Sequence, residues 1–409
     1  MPSLCLYFKV HQPYRLKKYS STDVTVNHYY EDDKANEIAI NEIADESYLP
    51  ANKIILSAIE ESERRFKVSY SISGVTLELL ERYRPDVIKS FQELMATGCV
   101  EILAETYYHS LSSLHSKKEF QRQVENHTAI IKKIFGKYPM VFRNTALIHN
   151  NELAKSIAGL GFKGILCEGI ERILQGRNVN KVYASPDNGD FGLLLRNSTL
   201  SDDIAFRFND HNWSEHPLTA CKFAEWIHSH PESAEVINLF MDYETFGIHK
   251  KESSGIFDFL KALPAAILSD PNFKFSTPSE ALEMYYPKDI YDAPQTISWE
   301  DKGKENCVWT ENAMQNNTLK KIYHLEKIAL RSNSERMINT WGKLQAADYL
   351  YHMGEGNNGE NEKKMNPFNS VQEAYQNYTN IITDFELILI NNEINKSKKN
   401  SFTAAFGLL

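Results

Sequence analysis

The chain has 409 residues, 42% of them hydrophobic and 24% charged, and it carries a formal net charge of −9 at pH 7. A chain of this length and composition buries a large core, which fits one large domain and a smaller one. The negative charge argues against nucleic acid as the main partner, and no apolar run approaches the roughly 20 residues that cross a bilayer. We therefore expect neither nucleic acid nor a membrane as a partner.

The cysteines and the first residues predict a compartment. Five cysteines are scattered along the chain without the close pairs of zinc sites or redox motifs. An odd, dispersed set is typical of buried free thiols in a reducing compartment. The first ten residues contain no basic segment and meet a charge at Lys9, which is typical of a strand and not of a signal peptide. We predict a cytoplasmic protein.

Short apolar segments alternate with longer segments of helical periodicity over the first 285 residues. Seven of the short segments are typical of strands buried on both faces: 4–10, 66–72, 99–104, 140–143, 164–167, 193–196 and 236–241. Helices are predicted between them, among others at 75–96, 117–135, 151–160 and 217–228. This alternation indicates βαβ units and a parallel sheet, and seven units favour a barrel over an open sheet. Residues 273–275 are a short candidate for an eighth strand.

Polar residues follow these predicted strands directly. They are His11, Ser73, Glu105 with His109, Arg143 with Asn144 and Thr145, Glu168, Arg196 with Asn197, and Asp242 with Glu244. A single acid at a strand end is more often a helix cap, but several polar residues converging on one barrel mouth form a site. Glu101 lies inside a predicted strand, and because strand side chains alternate, we expect it to point away from the mouth.

After about residue 285 the pattern changes to helices alone. Helical periodicity covers 318–332, 334–352 and 371–392, with a polar loop rich in Gly and Asn over 354–367. We predict a barrel over residues 1–285 and a helical domain over residues 286–409. The charged segment 395–400 is expected to be a mobile tail.

Five blocks of sequence carry a resemblance to a known family. They are FKVHQP at 8–13, GCVEILAETYYHS at 98–110, VFRNT at 141–145, MDYETFG at 241–247 and QAADYLY at 345–351. In this order and spacing they resemble glycoside hydrolase family 57, specifically its α-amylase-like branch. The resemblance implies an α/β fold, an incomplete (β/α)7 TIM-like barrel followed by a C-terminal helical bundle. It also implies an α-1,4-glucan or malto-oligosaccharide substrate, without cofactor or metal.

The resemblance further implies a retaining mechanism, which uses two carboxyl groups roughly 5–5.5 Å apart. Asp242 would be the general acid. Substrate contacts are expected from His11, Gln12, Glu105, His109, Arg143, Glu244, Trp309, Asp348 and Tyr351. We expect Trp309, Asp348 and Tyr351 of the helical domain near the barrel mouth. Trp309 and Trp213 are candidates for stacking on sugar rings, although core packing explains each equally well.

The position of the nucleophile departs from the family pattern. The family places a glutamate directly after the Arg-Asn-Thr triplet, whereas this chain has Ala146, whose methyl group cannot attack an anomeric carbon. Three explanations remain open: natural loss in a protein that keeps a glucan groove, a deliberate Glu→Ala change, or replacement by another carboxylate, Glu168 or Glu105. Two further departures, Ile248 and Tyr349, favour natural loss. A carboxylate on an adjacent strand is displaced by about 5 Å, which suits an inverting enzyme better.

A second class of function uses the same mouth differently. His11, His109 and Asp242 are the residue types of a metal site with two histidines and one carboxylate. The alternative is therefore a metal-dependent hydrolase or deacetylase on a related barrel. Each histidine also suits a simpler role, which is a hydrogen bond to a sugar hydroxyl or to a neighbouring carboxylate.

Overall fold

The structure is a computed structural model that describes residues 2–231, 233–299, 309–354 and 367–406, without the side chains of 398–406. Contacts group the chain into two compact units, each discontinuous in sequence. The barrel unit comprises Met1–Gln12, Glu37–Tyr107 and Gln121–Gly303, and the helical unit comprises Pro13–Asn36, Tyr108–Phe120 and Lys304–Leu409. The predicted domain boundary at residue 285 stays a prediction.

The described part of the barrel unit contains ten strands, and all seven predicted strands are among them. The ten are β1 Ser3–Val10, β2 Val68–Ile72, β3 Val100–Ile102, β4 Val141–Arg143, β5 Gly164–Glu168, β6 Val182–Ser185, β7 Asn188–Arg196, β8 Val236–Asp242, β9 Lys274–Phe275 and β10 Asp289–Ile290. The candidate eighth strand is β9, which pairs in parallel with the start of β1. Two strands were not predicted: β6, which runs antiparallel to β7, and β10, which pairs with β6.

The seven predicted strands pair in parallel around a ring. β8, β1, β2 and β3 are neighbours on one side, and β4, β5 and β7 on the other. One isolated bridge, Ala104 with Phe142, joins β3 to β4, and one residue pair, Arg196 with Asn238, joins β7 to β8. The predicted (β/α)7 barrel is confirmed, and the C-terminal region that follows is helical.

Seventeen α-helices lie in the described residues. They are α1 Asp33–Ile43, α2 Leu49–Glu61, α3 Gly74–Tyr83, α4 Pro85–Ala96, α5 Ser112–His115, α6 Lys117–Phe135, α7 Asn151–Gly159, α8 Glu171–Leu174, α9 Ser198–Ala205, α10 Ala220–His228, α11 Ile256–Leu268, α12 Pro278–Met284, α13 Ala313–His324, α14 Glu326–Arg331, α15 Glu335–Lys343, α16 Asp348–Tyr351 and α17 Val371–Phe406. The single helix predicted over 75–96 is wrong, since Arg84 leaves helical geometry and Pro85 begins a second helix. The segment 395–400 belongs to α17, and its predicted mobility stays a prediction.

The helical unit has its own core and a buried polar anchor. Its apolar cluster includes Trp341 and Tyr378. Asp384 on α17 accepts hydrogen bonds from the hydroxyl of Tyr30 at 2.7 Å, from His28 Nδ1 at 2.9 Å and from the amide of Thr25 at 2.6 Å. Burial raises the pKa of Asp384, but these hydrogen bonds outweigh it and hold the pKa below its ordinary value. The anchor fixes the segment before α1 to α17.

Two further expectations concern membranes and thiols. Among the described helices, none combines the length and the apolar character needed to span a membrane. Cys5, Cys99 and Cys167 are buried free thiols, as predicted. Cys221 is exposed, which corrects the expectation for that residue, and Cys307 lies outside the described residues.

Candidate active site

The polar residues at the barrel mouth continue rows of inward-facing core residues. The apolar cluster of the barrel interior contains Tyr7, Leu103, Val141, Leu166, Leu194 and Phe240. The side chain two residues further along each of these segments is expected on the same face, because side chains of a strand alternate. Those six residues are Lys9, Glu105, Arg143, Glu168, Arg196 and Asp242. The inward face of the barrel therefore changes from apolar core to charged mouth within two residues along each strand.

Asp242 ends β8 and forms an ion pair with Lys9. The two residues are register partners on β8 and β1, and Lys9 Nζ lies 3.0 Å from Asp242 Oδ1. The Asp242 side chain is 45% exposed, so a ligand can reach it. Lys9 was not among the predicted site residues, although a lysine within an otherwise apolar strand was the signal for it.

The surroundings of Asp242 keep it ionised. Burial raises its pKa, but the charges of Lys9, His249 and Arg143 outweigh burial and hold the pKa below its ordinary value. A general acid near neutral pH needs a raised pKa instead. Lys9 contributes most among the charges that lower the pKa of Asp242.

A second ion pair joins the ends of β3 and β4. Arg143 Nη1 lies 3.8 Å from Glu105 Oε2, and both side chains are almost fully buried. Arg143 Nε and Nη1 have no hydrogen-bond acceptor among the described residues. Buried donors without an acceptor are costly, so these guanidinium nitrogens suit the oxygen atoms of a ligand. The amide of Glu105 donates to His127 Nδ1 at 3.2 Å, which fixes the segment after β3.

Ala146 lies in a strained turn directly after β4. Its backbone is left-handed, with φ 54° and ψ 25°, and Leu147 follows with φ 51°. Two consecutive residues with side chains in this region store strain that the surrounding structure must hold, which is typical of functional positions. Asn144 Nδ2 donates to the carbonyl of Ile148 at 3.0 Å, and the amide of Trp299 donates to the carbonyl of Ala146 at 3.3 Å. Ala146 itself is buried.

The residues after β1 are tied to α3 and to the loop after β8. His11 Nδ1 lies 2.7 Å from the hydroxyl of Ser73, the residue that caps α3. Gln12 Nε2 donates to Glu244 Oε1 at 3.2 Å, and the Tyr48 hydroxyl donates to the same oxygen at 2.5 Å. His11, Gln12 and Glu244 are all buried. These bonds position the loop after β8, and direct glucan contacts from the three residues stay predictions.

Four predicted site residues belong to the helical unit: His109, Trp309, Asp348 and Tyr351. The carbonyl of His109 accepts from the amide of Ala347 at 3.0 Å, so the second and fifth sequence blocks meet there. Trp309 is buried, with its ring centroid 6.2 Å from that of Tyr351. Core packing thus accounts for Trp309, and roles for all four in binding glucan stay predictions.

Glu168 belongs to a separate charge cluster. Arg196 Nη1 lies 3.4 Å from Glu168 Oε1, and Arg196 Nη2 contacts Asp202. Burial raises the pKa of Glu168 to about 7 against the opposing charge of Arg196. Asp242 instead responds to Lys9, His249 and Arg143. Glu168 is thus paired with Arg196, and its role as a replacement nucleophile stays a prediction.

The arrangement offers little for a metal ion. Within the described residues, no group of three or more His, Cys, Asp or Glu side chains is arranged to hold one. His11 is engaged with Ser73, and Asp242 with Lys9. The carboxylate of Glu101 accepts hydrogen bonds from the amide and the hydroxyl of Ser279, at 2.9 and 3.0 Å, near the start of α12.

Comparison with known proteins places this barrel in a family of carbohydrate-active enzymes. The sequence profile described as glycosyl hydrolase family 57 matches residues 5–294, and the chain belongs to this family. It is 40% identical to the "Putative alpha-amylase" of Methanocaldococcus jannaschii, over 96% of this chain and 86% of the relative. An α-amylase of Pyrococcus abyssi is 24% identical over 62% of this chain and 38% of its own length.

Solved structures share the fold. A 4-α-glucanotransferase of Thermococcus litoralis has a TM-score of 0.70 at 18% identity, and the match covers 94% of this chain and 59% of that enzyme. A branching enzyme of Pyrococcus horikoshii has a TM-score of 0.65 at 15% identity, covering 94% of this chain and 96% of the enzyme. At these identities the likeness concerns the fold alone.

Proposed function

We propose that this protein is an α-amylase-like member of its family that binds α-1,4-glucan or malto-oligosaccharide and hydrolyses it negligibly. Retaining hydrolysis needs a carboxylate that attacks the anomeric carbon and an acid that protonates the leaving oxygen. Asp242 is at the acid position, and Ala146 is at the position of the nucleophile. The alanine in its strained turn is the observation that carries the proposal. The names of the relatives support the substrate class.

The remaining chemistry of the mouth suits binding more than bond cleavage. Guanidinium and ammonium donors, here Arg143 and Lys9, are the groups that hold sugar hydroxyls in place. Asp242 is held ionised by its neighbours, so it accepts hydrogen bonds from hydroxyls instead of donating a proton. The proposed outcome is a glucan held across the mouth without a covalent intermediate.

Natural loss of the nucleophile is the explanation that we propose for Ala146. Tyr349, one of the departures from the family pattern, is integrated into the helical unit: its hydroxyl donates to the carbonyl of Tyr14 at 2.6 Å, and its ring packs 5.2 Å from Tyr378. With this hydrogen bond and this ring contact, Tyr349 is packed into the core of the helical unit. This supports divergence over several positions and not one isolated substitution. We also propose a cytoplasmic location, supported by the three buried free thiols.

The test compares the unmodified protein with Ala146→Glu and, as a matched control, Ala146→Gln. Glutamine has the size of glutamate without its nucleophilic charge. We expect negligible release of reducing sugar from maltodextrin by the unmodified and Gln forms, and measurable release with retained anomeric configuration by the Glu form. Calorimetric titration with maltoheptaose should detect binding by the unmodified protein.

Three results would count against the proposal. Robust turnover by the unmodified protein would show that another carboxylate is the nucleophile, and loss of that turnover in Glu168→Gln would identify it. Absence of maltoheptaose binding by the unmodified protein would contradict the proposed glucan-binding groove. Activity of the Gln form equal to that of the Glu form would show that the carboxylate at position 146 is irrelevant.

A further inference from the structure

Two aromatic side chains of the barrel unit form a stacked pair. The ring centroids of Phe206 and Trp299 are 6.2 Å apart, and the ring planes are inclined by only 8°. Phe206 follows α9 directly and is 52% exposed, whereas Trp299 is half-buried. The Phe206 ring stacks on Trp299, and about half of the Phe206 residue stays accessible to solvent. The pair therefore presents a flat, rigid apolar surface backed by a second ring.

The backbone of each member is tied to one of the two catalytic positions. The amide of Trp299 donates to the carbonyl of Ala146, in the turn that carries the nucleophile position. The ammonium group of Lys250 donates to the carbonyl of Phe206 at 3.1 Å. Lys250 in turn lies in the loop after Asp242, where its carbonyl accepts from the amide of Gly247 at 2.9 Å. Backbone contacts of the stacked pair thus reach the turn that carries Ala146 and the loop that follows Asp242.

Lys250 is built for this connection. Its side chain is buried, and burial lowers the pKa of its ammonium group. Burial of an ammonium group is costly unless its N–H groups donate hydrogen bonds, so the bond to the Phe206 carbonyl stabilises the buried position of Lys250. Its amide also donates to the carbonyl of Thr245 at 3.1 Å, which holds the loop compact. The position of Phe206 is consequently fixed from the side of Asp242.

We propose that Phe206, backed by Trp299, is a stacking platform for one glucose ring of a bound α-glucan. The C–H groups on the face of a pyranose ring pack on an aromatic face, while its equatorial hydroxyls reach polar groups at the rim. The charges of Lys9, Asp242 and Arg143 supply such polar groups at the mouth. This proposal rests on the proposed function and adds a residue that holds one sugar ring near the turn of Ala146 and the loop after Asp242.

The experiment is calorimetric titration of the full chain with maltoheptaose, using variants that separate ring stacking from apolar contact. Phe206→Ala and Phe206→Leu remove the ring, and Phe206→Tyr keeps it. Tyr286→Ala is the matched control, because it removes another exposed aromatic ring of the barrel unit, 66% exposed and hydrogen-bonded only at the surface to Asp190. Thermal unfolding of each variant verifies that the fold is intact.

We expect Phe206→Ala and Phe206→Leu to bind about 3- to 10-fold more weakly, as the loss of one aromatic contact implies. Phe206→Tyr and Tyr286→Ala should bind within about twofold of the unmodified protein. We also expect maltoheptaose binding to change the fluorescence emission of Trp299, and this change should be absent in Trp299→Phe. The phenylalanine of this variant keeps a stacked ring, so its affinity for maltoheptaose should be retained.

Unchanged affinity of Phe206→Ala and Phe206→Leu, with binding by the unmodified protein intact, would overturn the platform and leave the proposed function standing. Equal weakening by Tyr286→Ala would also overturn it, because the effect would then not be local. Absence of binding by every form would overturn the platform together with the glucan groove.

Discussion

At the scale of single residues, the charge next to Asp242 decides what this carboxyl group can do. Lys9 reaches it from the neighbouring strand at 3.0 Å, and the resulting attraction favours the ionised form. A side chain that is held ionised is a hydrogen-bond acceptor and a poor proton donor. If the proposed roles hold, Ala146→Glu alone leaves Asp242 a poor proton donor, unless the new carboxylate raises the pKa of Asp242 by repulsion.

We predict that Lys9→Met raises the pKa of Asp242, because it removes the opposite charge that favours the ionised carboxylate. Lys9→Arg is the control, since it keeps the charge, and it should leave the pKa low. Carboxyl carbon NMR of labelled aspartate measures both. In the Ala146→Glu background, Lys9→Met should also move the alkaline limb of the activity profile to higher pH. Equal Asp242 pKa values in the two variants would contradict the role assigned to Lys9.

Glu168 gives a second prediction, on stability. Its pKa in the folded protein is about 7, whereas an unfolded glutamate titrates near 4.3. Between these values the folded state holds a proton that the unfolded state releases, so the free energy of unfolding falls as pH rises from about 4.3 to 7. The effect is on the order of 3 kcal/mol. Glu168→Gln should lose this dependence.

Urea unfolding between pH 4.5 and 8 measures how the free energy of unfolding depends on pH in the unmodified protein and in Glu168→Gln. Glu81→Gln, at an exposed position of α3, is the control and should follow the unmodified protein at each pH. Parallel pH profiles for all three proteins would show that Glu168 is ionised throughout this range.

At the scale of elements, the loop after β8 depends on a glycine. Gly247 has φ 107°, and a Cβ built there would lie 1.8 Å from the carbonyl oxygen of Glu46. Backbone atoms cannot withdraw as a flexible side chain can. The loop that carries Glu244 and Lys250 therefore reaches its conformation only with glycine at this position.

We predict that Gly247→Ala destabilises the protein by about 3 kcal/mol or more, since strain and a backbone clash add. Gly255→Ala is the matched control. Gly255 also has a positive φ of 81°, but a Cβ there would meet nothing within 4 Å, so only the strain of about 1 kcal/mol applies. Chemical denaturation compares the two, and equal losses would show that the Glu46 contact relaxes freely.

At the scale of the whole molecule, the sequence pattern predicts the barrel better than its surroundings. Strands buried on both faces leave continuous apolar runs, and all seven were found from them. β6 is four residues long, between polar segments, and gives no such signal. Helix ends depend on single residues, as the break at Pro85 shows, and local charge does not reveal whether the segment 395–400 continues a helix.

The positions of the candidate site residues were predictable from the sequence where these residues directly follow a predicted strand. Glu105, Arg143 and Asp242 lie where the strand pattern puts them. Lys9 was missed because it is inside a strand, and only the pairing of β1 with β8 brings it to Asp242. The stacked pair was missed because Phe206 and Trp299 are far apart in sequence, and no local pattern joins two single aromatic residues.

The ring of strands consists of two arcs joined at two thin seams. One arc carries Asp242 and Lys9, and the other carries Arg143 and Ala146. At the β3–β4 seam, the Ala104 amide donates to Val141 and the Arg143 amide donates back to Ala104, at 3.0 and 2.8 Å. Hinge motion between the arcs would change the separation of the acid and nucleophile positions without unfolding either arc.

These seams are where the barrel should open first. Local opening follows the lowest density of backbone hydrogen bonds, so the amides of Ala104 and Arg143 should exchange with deuterium before those in the middle of β1. A bound glucan that contacts both arcs would close the hinge and slow this exchange. Exchange of the seam amides as slow as in β1, without ligand, would show a ring that moves as one body.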